Sequence, residues 1–291
     1  MIAGKKYGKN YIQISERWCK NIGKSKEQGK TRWSYSRVTC FCNCKYEYYL
    51  KYILKDFEIY PSEWNYYAEV GSFVHEILAK IFNGELELDD SAQYFVENYD
   101  DTICYKVRQS IMDKTFGVIA EYFSDVDMDW LKNYKIMGVE LQTEFKLDKY
   151  DFVGFIDLLL RDKSDGKIVI IDHKSFPYPF KNDGSVKKAA MHNYETYKRQ
   201  MYLYAHAVKQ IYNEFPKEMV WNCFKDGGKL ATIPFDMADY EETMEWFRNK
   251  LIEIEQEEDY EPTEEFFYCT NLCNFRGSCE YANLTRKELG D

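Results

Sequence analysis

Residues 154–174 read Gly-Phe-Ile-Asp-Leu-Leu-Leu-Arg-Asp-Lys-Ser-Asp-Gly-Lys-Ile-Val-Ile-Ile-Asp-His-Lys, and this stretch decides the fold. Two runs rich in β-forming residues, 152–160 and 167–173, flank the pair Asp165-Gly166, which is typical of a tight hairpin turn. The second run contains four consecutive aliphatic residues, and such a run favours a central strand buried on both faces. The stretch therefore predicts a hairpin at the centre of a sheet.

Three charged residues interrupt these apolar strands: Asp157, Asp172 and Lys174. Alternate residues of a strand share a face, so Asp172 and Lys174 point the same way, and the hairpin brings Asp157 close to them. Two adjacent carboxylates repel each other unless a cation lies between them, and oxygen ligands select Mg²⁺ or Mn²⁺. Lys174 can then orient or deprotonate a water, or stabilise charge on a phosphate. An ordinary Asp–Lys pair with Asp157 in a salt bridge is the open alternative.

Outside the hairpin, the hydrophobic periodicity predicts a mostly helical first half followed by mixed helices and strands. The predicted helices cover 46–54, 66–83, 92–124 (one or two helices), 191–212 and 240–257. Further strands are predicted at 137–147, 220–224 and 230–234. We therefore predict an α/β fold with a mixed sheet flanked by helices.

The composition limits the function classes. The formal net charge of −10 over 291 residues argues against a protein that coats nucleic acid through bulk charge, although a local basic groove is compatible with it. Residues 1–33 are predicted to be a basic arm. The sequence has no long apolar run for a membrane span and no apolar leader, so we expect a cytoplasmic protein. In that reducing compartment the nine cysteines indicate metal or cluster ligation rather than disulfides.

Two helical pairs add candidate site residues. Gly71 and His75 stand one turn apart, where the glycine would permit close approach of another element and His75 could be a third metal ligand. Gln200 and Tyr204 also share a helix face and could hydrogen-bond a DNA backbone. Taken alone, His75 is more typical of a plain core residue, and Gln200 and Tyr204 are typical of ordinary helix surface.

The ordered set Gly71-x-x-x-His75, Gly154-x-x-Asp157, Asp172-x-Lys174 and Gln200-x-x-x-Tyr204 resembles the PD-(D/E)XK nuclease superfamily, and most of all its RecB-like branch. The resemblance covers roughly residues 34–280. It implies the restriction-endonuclease-like mixed sheet, a metal site formed by the histidine and the two aspartates, a catalytic lysine, and a Gln–Tyr helix that supports DNA binding.

This chain departs from the family pattern at His173, where tyrosine is commoner; the change falls on the opposite strand face. The family also often places a glutamate on the preceding strand. Glu140 is the candidate for that position, and Glu144 competes with it.

Six cysteines lie in two clusters. Cys269, Cys273 and Cys279 can wrap one metal centre, and the upstream trio of Cys40, Cys42 and Cys44 offers a fourth ligand.

Cys44 matches the upstream cysteine of iron–sulfur members of the RecB-like branch, such as the AddB nuclease domain and CRISPR-associated exonucleases. That resemblance implies a structural [4Fe–4S] cluster held by Cys44, Cys269, Cys273 and Cys279. Three residues separate the first two late cysteines, where the family usually has two, so zinc is the alternative. Cys40 and Cys42 are then spare ligands, and Cys19, Cys104 and Cys223 are expected to be ordinary buried or half-buried thiols.

These features predict four regions: a basic arm (1–33), a helical region (34–135), the nuclease core (136–260) and a cysteine-rich segment (261–291). The predicted function is metal-dependent cleavage of DNA in recombination, phage DNA processing or CRISPR adaptation. The family resemblance implies that the cleavage starts from an end and acts on single strands. A helicase or recombination partner would be a separate protein, because no helicase motif is present. The alternative is a catalytically inactive DNA- or partner-binding protein of the same fold.

Overall fold

The predicted hairpin lies in a mixed six-stranded sheet in the computed structural model of the chain, which describes residues 31–56 and 66–281. The strands are β1 (Arg32–Trp33), β2 (Tyr134–Leu147), β3 (Tyr150–Asp162), β4 (Ile168–Lys174), β5 (Glu218–Cys223) and β6 (Lys229–Pro234). Their order is β1–β3–β4–β5–β6, and β2 pairs with β3. Strands β4 and β5 are parallel, whereas β2–β3, β3–β4 and β5–β6 are antiparallel.

Seven α-helices surround this sheet in the part of the chain that the structure describes. They are α1 (Tyr35–Asn43), α2 (Lys45–Tyr48), α3 (Tyr66–Phe82), α4 (Ser91–Thr102), α5 (Gln109–Asp125), α6 (Met191–Tyr212) and α7 (Met237–Gln256). Two π-helices, Tyr49–Leu54 and Tyr268–Leu272, accompany them. Helix α1 begins after Ser34, whose Oγ caps the helix by accepting a hydrogen bond from the backbone N–H of Arg37 at 3.1 Å.

Strand β4 is buried on both faces, as its continuous apolar run predicted. Val169 and Ile171 pack into a core with helices α3, α4 and α5. Ile168 and Ile170 face the opposite way, into a core with α6. The α/β fold class and the mixed sheet flanked by helices are therefore confirmed.

The boundaries differ from the predictions mostly by a few residues. The region 92–124 forms two helices, and the predicted helix 46–54 is a short α-helix that continues as a π-helix. Strand β2 begins three residues before its predicted start, at Tyr134. The turn after β3 contains Gly166 with a φ of 70°, the left-handed conformation that glycine favours.

Candidate active site

The three charged residues of the central hairpin lie where β3 and β4 separate. The last paired residues are Leu158 and Ile171, so Asp157 and Asp172 follow immediately beyond the ladder. Both side chains are buried, and Lys174 Nζ lies 2.7 Å from Asp172 Oδ2. The buried strand run thus ends in an ion pair beside a second carboxylate.

His75 on α3 faces the same place, and its hydrogen bond defines its tautomer. Nε2 lies 3.0 Å from the carbonyl oxygen of His173, which only accepts, so Nε2 carries a proton. Nδ1 therefore points to the carboxylates, 3.6 Å from Asp157 Oδ2 and 3.6 Å from Glu140 Oε1. In this orientation Nδ1 of a neutral imidazole has its lone pair available to a cation.

Glu140 joins the site through an unusual backbone conformation. Its neighbours Val139 and Leu141 pair with Leu158 and Ile156, which places Glu140 opposite Asp157. Its φ of 46° lies in the left-handed region, which costs a non-glycine residue on the order of 1–3 kcal/mol. Of the two glutamates that the sequence offered for this position, the structure brings Glu140 to His75.

His75, Glu140 and Asp157 offer three ligand atoms within 4.8 Å of one another. They are the only group of three or more metal-ligating side chains this close within residues 31–56 and 66–281. One nitrogen and two carboxylate oxygens suit Mn²⁺ or Mg²⁺. Asp172, which the sequence placed in the metal site, lies beside this group, and its Oδ2 forms the ion pair with Lys174 Nζ at 2.7 Å. The residues present therefore fit a divalent cation, with Asp172 adjacent to it.

Burial and charge shift the pKa values of these groups. Burial, followed by the neighbouring Asp172, raises the pKa of Asp157. Burial lowers the pKa of His75, but Asp157 and Glu140 outweigh it and raise the value to about 8. Burial also lowers the pKa of Lys174, but Asp172 and Asp157 raise it by more, so the pKa lies above its usual value and Lys174 stays protonated at neutral pH. These shifts describe a site whose carboxylates attract a positive charge.

Gln200 and Tyr204 on α6 connect to this ion pair. Lys174 Nζ donates to Gln200 Oε1 at 3.0 Å, and Gln200 Nε2 donates to the hydroxyl oxygen of Tyr204 at 2.8 Å. Gly154 allows this arrangement, because a Cβ there would lie 3.2 Å from the Tyr204 ring. The predicted Gln–Tyr pair therefore lies at the site, where it positions the lysine.

A buried polar network that sequence reasoning missed supports two of the candidate metal ligands. The backbone of His173 holds two of them: its N–H donates to Asp157 Oδ2 at 2.7 Å, and its carbonyl accepts from His75. The imidazole of His173 lies 3.1 Å from the side-chain amide of Asn222, which also donates to the hydroxyl oxygen of Tyr122 at 2.9 Å. Nothing in the sequence linked Tyr122 or Asn222 to the site.

The family model of the PD-(D/E)XK nuclease superfamily matches residues 32–280. The chain belongs to this superfamily. No curated protein matches the chain. Among solved structures, it is similar to a Eubacterium rectale protein that carries a provisional exonuclease name, with 14% identity, a TM-score of 0.49, and 97% of this chain and 94% of that chain covered. It is also similar to the protein SSO0001, with 13% identity, a TM-score of 0.36 and coverage of 93% and 97%.

Membership of the PD-(D/E)XK superfamily agrees with the candidate metal ligands of the site. These nucleases generally use divalent metal ions, and the group of His75, Glu140 and Asp157 can bind one. The part of the chain that the structure describes contains no helix long and apolar enough to cross a membrane.

Cys44 of the upstream cluster and all three cysteines of the late cluster line one pocket of this PD-(D/E)XK chain. Its walls include the four cysteines that the sequence selected: Cys44, Cys269, Cys273 and Cys279. Cys44 and Cys273 are buried. Backbone N–H groups point at both of these sulfurs: Glu47 N lies 3.4 Å from Cys44 Sγ, and Phe275 N lies 3.4 Å from Cys273 Sγ. The sulfurs are spread out, because no three cysteine sulfurs of the described residues lie within 4.8 Å of one another.

Several predictions about the remaining residues need correction. Cys40 and Cys42 are not among the described residues that line the pocket, and their role as spare ligands stays a prediction. Cys104 is exposed, because it lies where the chain leaves α4, whereas Cys223 is buried as expected. Cys19 and the basic arm up to residue 30 lie outside the described residues.

Gly71 also differs from its predicted role. No atom of the described residues lies within 4 Å of the position that a Cβ on Gly71 would take. The glycine therefore does not serve close packing of another described element, and the space beside it is open.

Proposed function

We propose that this chain is a Mg²⁺- or Mn²⁺-dependent deoxyribonuclease that hydrolyses DNA phosphodiester bonds from an end of a single strand, as the RecB-like resemblance implies. The observation that supports it most is the group of His75, Glu140 and Asp157 within 4.8 Å, next to the ion pair of Lys174 and Asp172. An ordinary structural Asp–Lys pair would not need the additional ligand atoms of His75 and Glu140 beside it. Recombination, phage DNA processing and CRISPR adaptation are settings that use such an activity.

In this mechanism His75, Glu140 and Asp157 would hold the cation, and Asp172 would complete its surroundings. The cation would supply Lewis acidity and lower the pKa of a bound water. Lys174 enters the reaction as a cation, because its carboxylate neighbours raise its pKa. It can therefore donate a hydrogen bond to a phosphate oxygen as charge develops there, while Gln200 holds its ammonium group in place.

Replacing Lys174 tests the proposal directly. We expect Lys174→Ala to lower the cleavage of an end-labelled single-stranded oligonucleotide in Mn²⁺ by about 10²-fold or more, because it removes the charged donor at the reacting phosphate. Lys229→Ala removes an exposed lysine that pairs with Asp226 and is the matched control. DNA binding should persist in both variants.

Two outcomes would contradict this assignment. Equal cleavage by wild type and Lys174→Ala would exclude Lys174 as a catalytic residue. A wild-type protein that shifts the oligonucleotide on a gel but leaves it uncut would favour the inactive, DNA-binding alternative.

We further propose that Cys44, Cys269, Cys273 and Cys279 hold a structural [4Fe–4S] cluster, as in the iron–sulfur RecB-like nucleases. The spread of the sulfurs supports a cluster over zinc. A tetrahedral zinc ion with Zn–S bonds of about 2.3 Å needs sulfurs about 3.8 Å apart, whereas no three cysteine sulfurs of the described residues come within 4.8 Å of one another. Anaerobically purified protein should absorb visible light near 400 nm, and a colourless protein with one equivalent of zinc would refute the cluster.

A further inference from the structure

Phe155 is an exposed aromatic residue in the middle of a largely buried strand. It is 50% exposed, whereas the next residue, Ile156, is fully buried. The other two phenylalanines of the β2–β3 hairpin, Phe145 and Phe152, stack on each other in the core with centroids 5.5 Å apart. Single exposed apolar residues are common on protein surfaces, so it is the position of Phe155 beside the candidate metal ligands that is informative.

Phe155 lies on the same strand as the candidate metal ligand Asp157. It precedes Asp157 by two residues, so the two lie roughly 6.6 Å apart along the strand. Asp157 faces His75 on α3. The alternate residues Gly154 and Ile156 face the opposite way, toward α6. Phe155 is therefore on the α3 side of the sheet, beside the ligands.

On the α3 side, the described residues leave the position beside Gly71 open. Gly71 lies one helical turn before His75, and no described atom approaches its Cβ position within 4 Å. An open position on the helix and an exposed ring on the strand thus flank the two metal-binding residues His75 and Asp157. A chain that reaches the metal site from this side would pass both.

The acidic side chains around Phe155 limit which part of a nucleotide can contact its ring. Its cross-strand partner is Gln142, and the next pair on the same face contains the exposed Glu144. Glu140 beside them has a side chain that is 43% exposed. Carboxylates repel phosphates, so an uncharged nucleobase suits this surface better than the sugar–phosphate backbone does.

We infer that Phe155 is a stacking platform for one nucleobase of the DNA strand next to the scissile phosphate, and that Gly71 leaves room for that strand. The inference rests on the proposed DNA-cleaving function. A base can stack on the ring only if it leaves its duplex stack, so the residue favours an unpaired strand.

The test measures base stacking and cleavage separately. Oligonucleotides with one 2-aminopurine, moved stepwise along the strand, are bound in Ca²⁺ and their fluorescence is recorded. We expect wild type to quench one position strongly, Phe155→Ala to lose that quenching, and Phe155→Trp to restore it. In Mn²⁺, Phe155→Ala should cleave about tenfold more slowly, and an abasic site at the quenched position should remove the difference between it and wild type.

Ile211→Ala removes another exposed apolar side chain, which is 46% exposed, and should change neither measurement. Equal quenching by wild type and Phe155→Ala at every position would overturn the inference, even if the protein cuts DNA. If wild type quenches one base through Phe155 but cuts no DNA, the inference stands and the proposed nuclease activity fails.

Discussion

Gly154 shows how one residue of a short motif determines the geometry of the site. A Cβ at this position would lie 3.2 Å from Cε1 of Tyr204 and 3.4 Å from Thr143 Oγ1. The Tyr204 hydroxyl accepts from Gln200, which in turn accepts from Lys174. The motif glycine therefore provides the space in which this hydrogen-bonded chain reaches the lysine.

We predict that Gly154→Ala lowers the turnover number several-fold while the protein stays folded. The added methyl group must displace the Tyr204 ring by a few tenths of an ångström, and Gln200 and Lys174 move with it. Steady-state cleavage kinetics together with thermal unfolding measure both effects. Gly117→Ala on α5 is the control, because nothing lies within 4 Å of its Cβ position among the described residues. It should raise the stability by up to ~1 kcal/mol and leave turnover unchanged.

Asn222 is the second residue whose effect should reach the metal site indirectly. Asn222→Leu removes the hydrogen bonds to His173 and Tyr122 while keeping a similar volume. Because the His173 backbone holds both His75 and Asp157, we expect the affinity for Mn²⁺ to fall about 10- to 100-fold. Titration calorimetry measures that affinity.

Tyr122→Phe removes only the outer member of this network and should have a much smaller effect on Mn²⁺ binding. A folded Asn222→Leu protein that binds Mn²⁺ as tightly as wild type would show that the network stabilises the fold without positioning the ligands.

At the scale of elements, His206 joins three of them. It lies on α6, its Nε2 is 2.8 Å from the carbonyl oxygen of Lys146 on β2, and its Nδ1 is 2.7 Å from the hydroxyl of Tyr240 on α7. The side-chain amide nitrogen of Gln210 also lies 2.8 Å from Nε2. Nε2 therefore either donates to the carbonyl or accepts from this amide, and the Tyr240 hydroxyl can match either tautomer at Nδ1. A neutral imidazole satisfies both contacts, and burial lowers the pKa of His206 accordingly.

We predict that His206→Gln changes how stability depends on pH. The pKa of His206 is lower in the folded chain, so as the pH falls the unfolded chain binds this proton first. The neutral imidazole therefore stabilises the fold fully above about pH 6.5, the ordinary pKa of histidine. This stabilisation is lost as the pH falls below that value. The free energy of unfolding of wild type should therefore exceed that of the variant at pH 7.5 by more than at pH 5.5. Urea unfolding at both values measures this difference, and a difference that grows toward low pH would contradict the prediction.

The elements most visible in the sequence were those with a strong local signal. The aliphatic run of β4 and the Asp165-Gly166 turn specified the hairpin, and the hairpin placed Asp157 next to Asp172. Glu140 was harder to predict, because it reaches the site through a left-handed backbone conformation that no residue pattern reveals. Asn222 joins the network only through the parallel alignment of β5 with β4, which is a tertiary property.

At the scale of the whole molecule, α1 connects the cysteine pocket to the active site. Cys44 forms the C-cap of α1 and lines the pocket. At the other end of α1, the hydroxyl of Tyr35 donates to the carbonyl oxygen of Thr196 on α6. Thr196 lies one turn before Gln200, the residue that holds Lys174. A change at the pocket can thus be transmitted along α1 to Tyr35, and from there through α6 to the lysine.

Glu47 strengthens the same connection at the pocket. This buried carboxylate accepts hydrogen bonds from the hydroxyl of Tyr268 and from the backbone N–H of Asn274 at 3.1 Å. Two residues of the late cysteine segment are thereby attached to α2, more than two hundred residues earlier in the chain. A cluster ligated across this junction would close that long loop and favour the folded state.

The resulting prediction is that Cys44→Ala affects the molecule far beyond the pocket. We expect it to lose the visible absorbance, to lower the unfolding temperature, and to expose the segment after residue 261 to limited proteolysis, since one of the four proposed cluster ligands is gone. Cleavage activity should fall as well, because α1 loses its fixed end and Tyr35 no longer holds α6. Cys42→Ala, two residues earlier and exposed, should leave all four readouts unchanged. If Cys44→Ala loses its absorbance but keeps full activity and protease resistance, the pocket does not clamp the fold, and the catalytic site is independent of it.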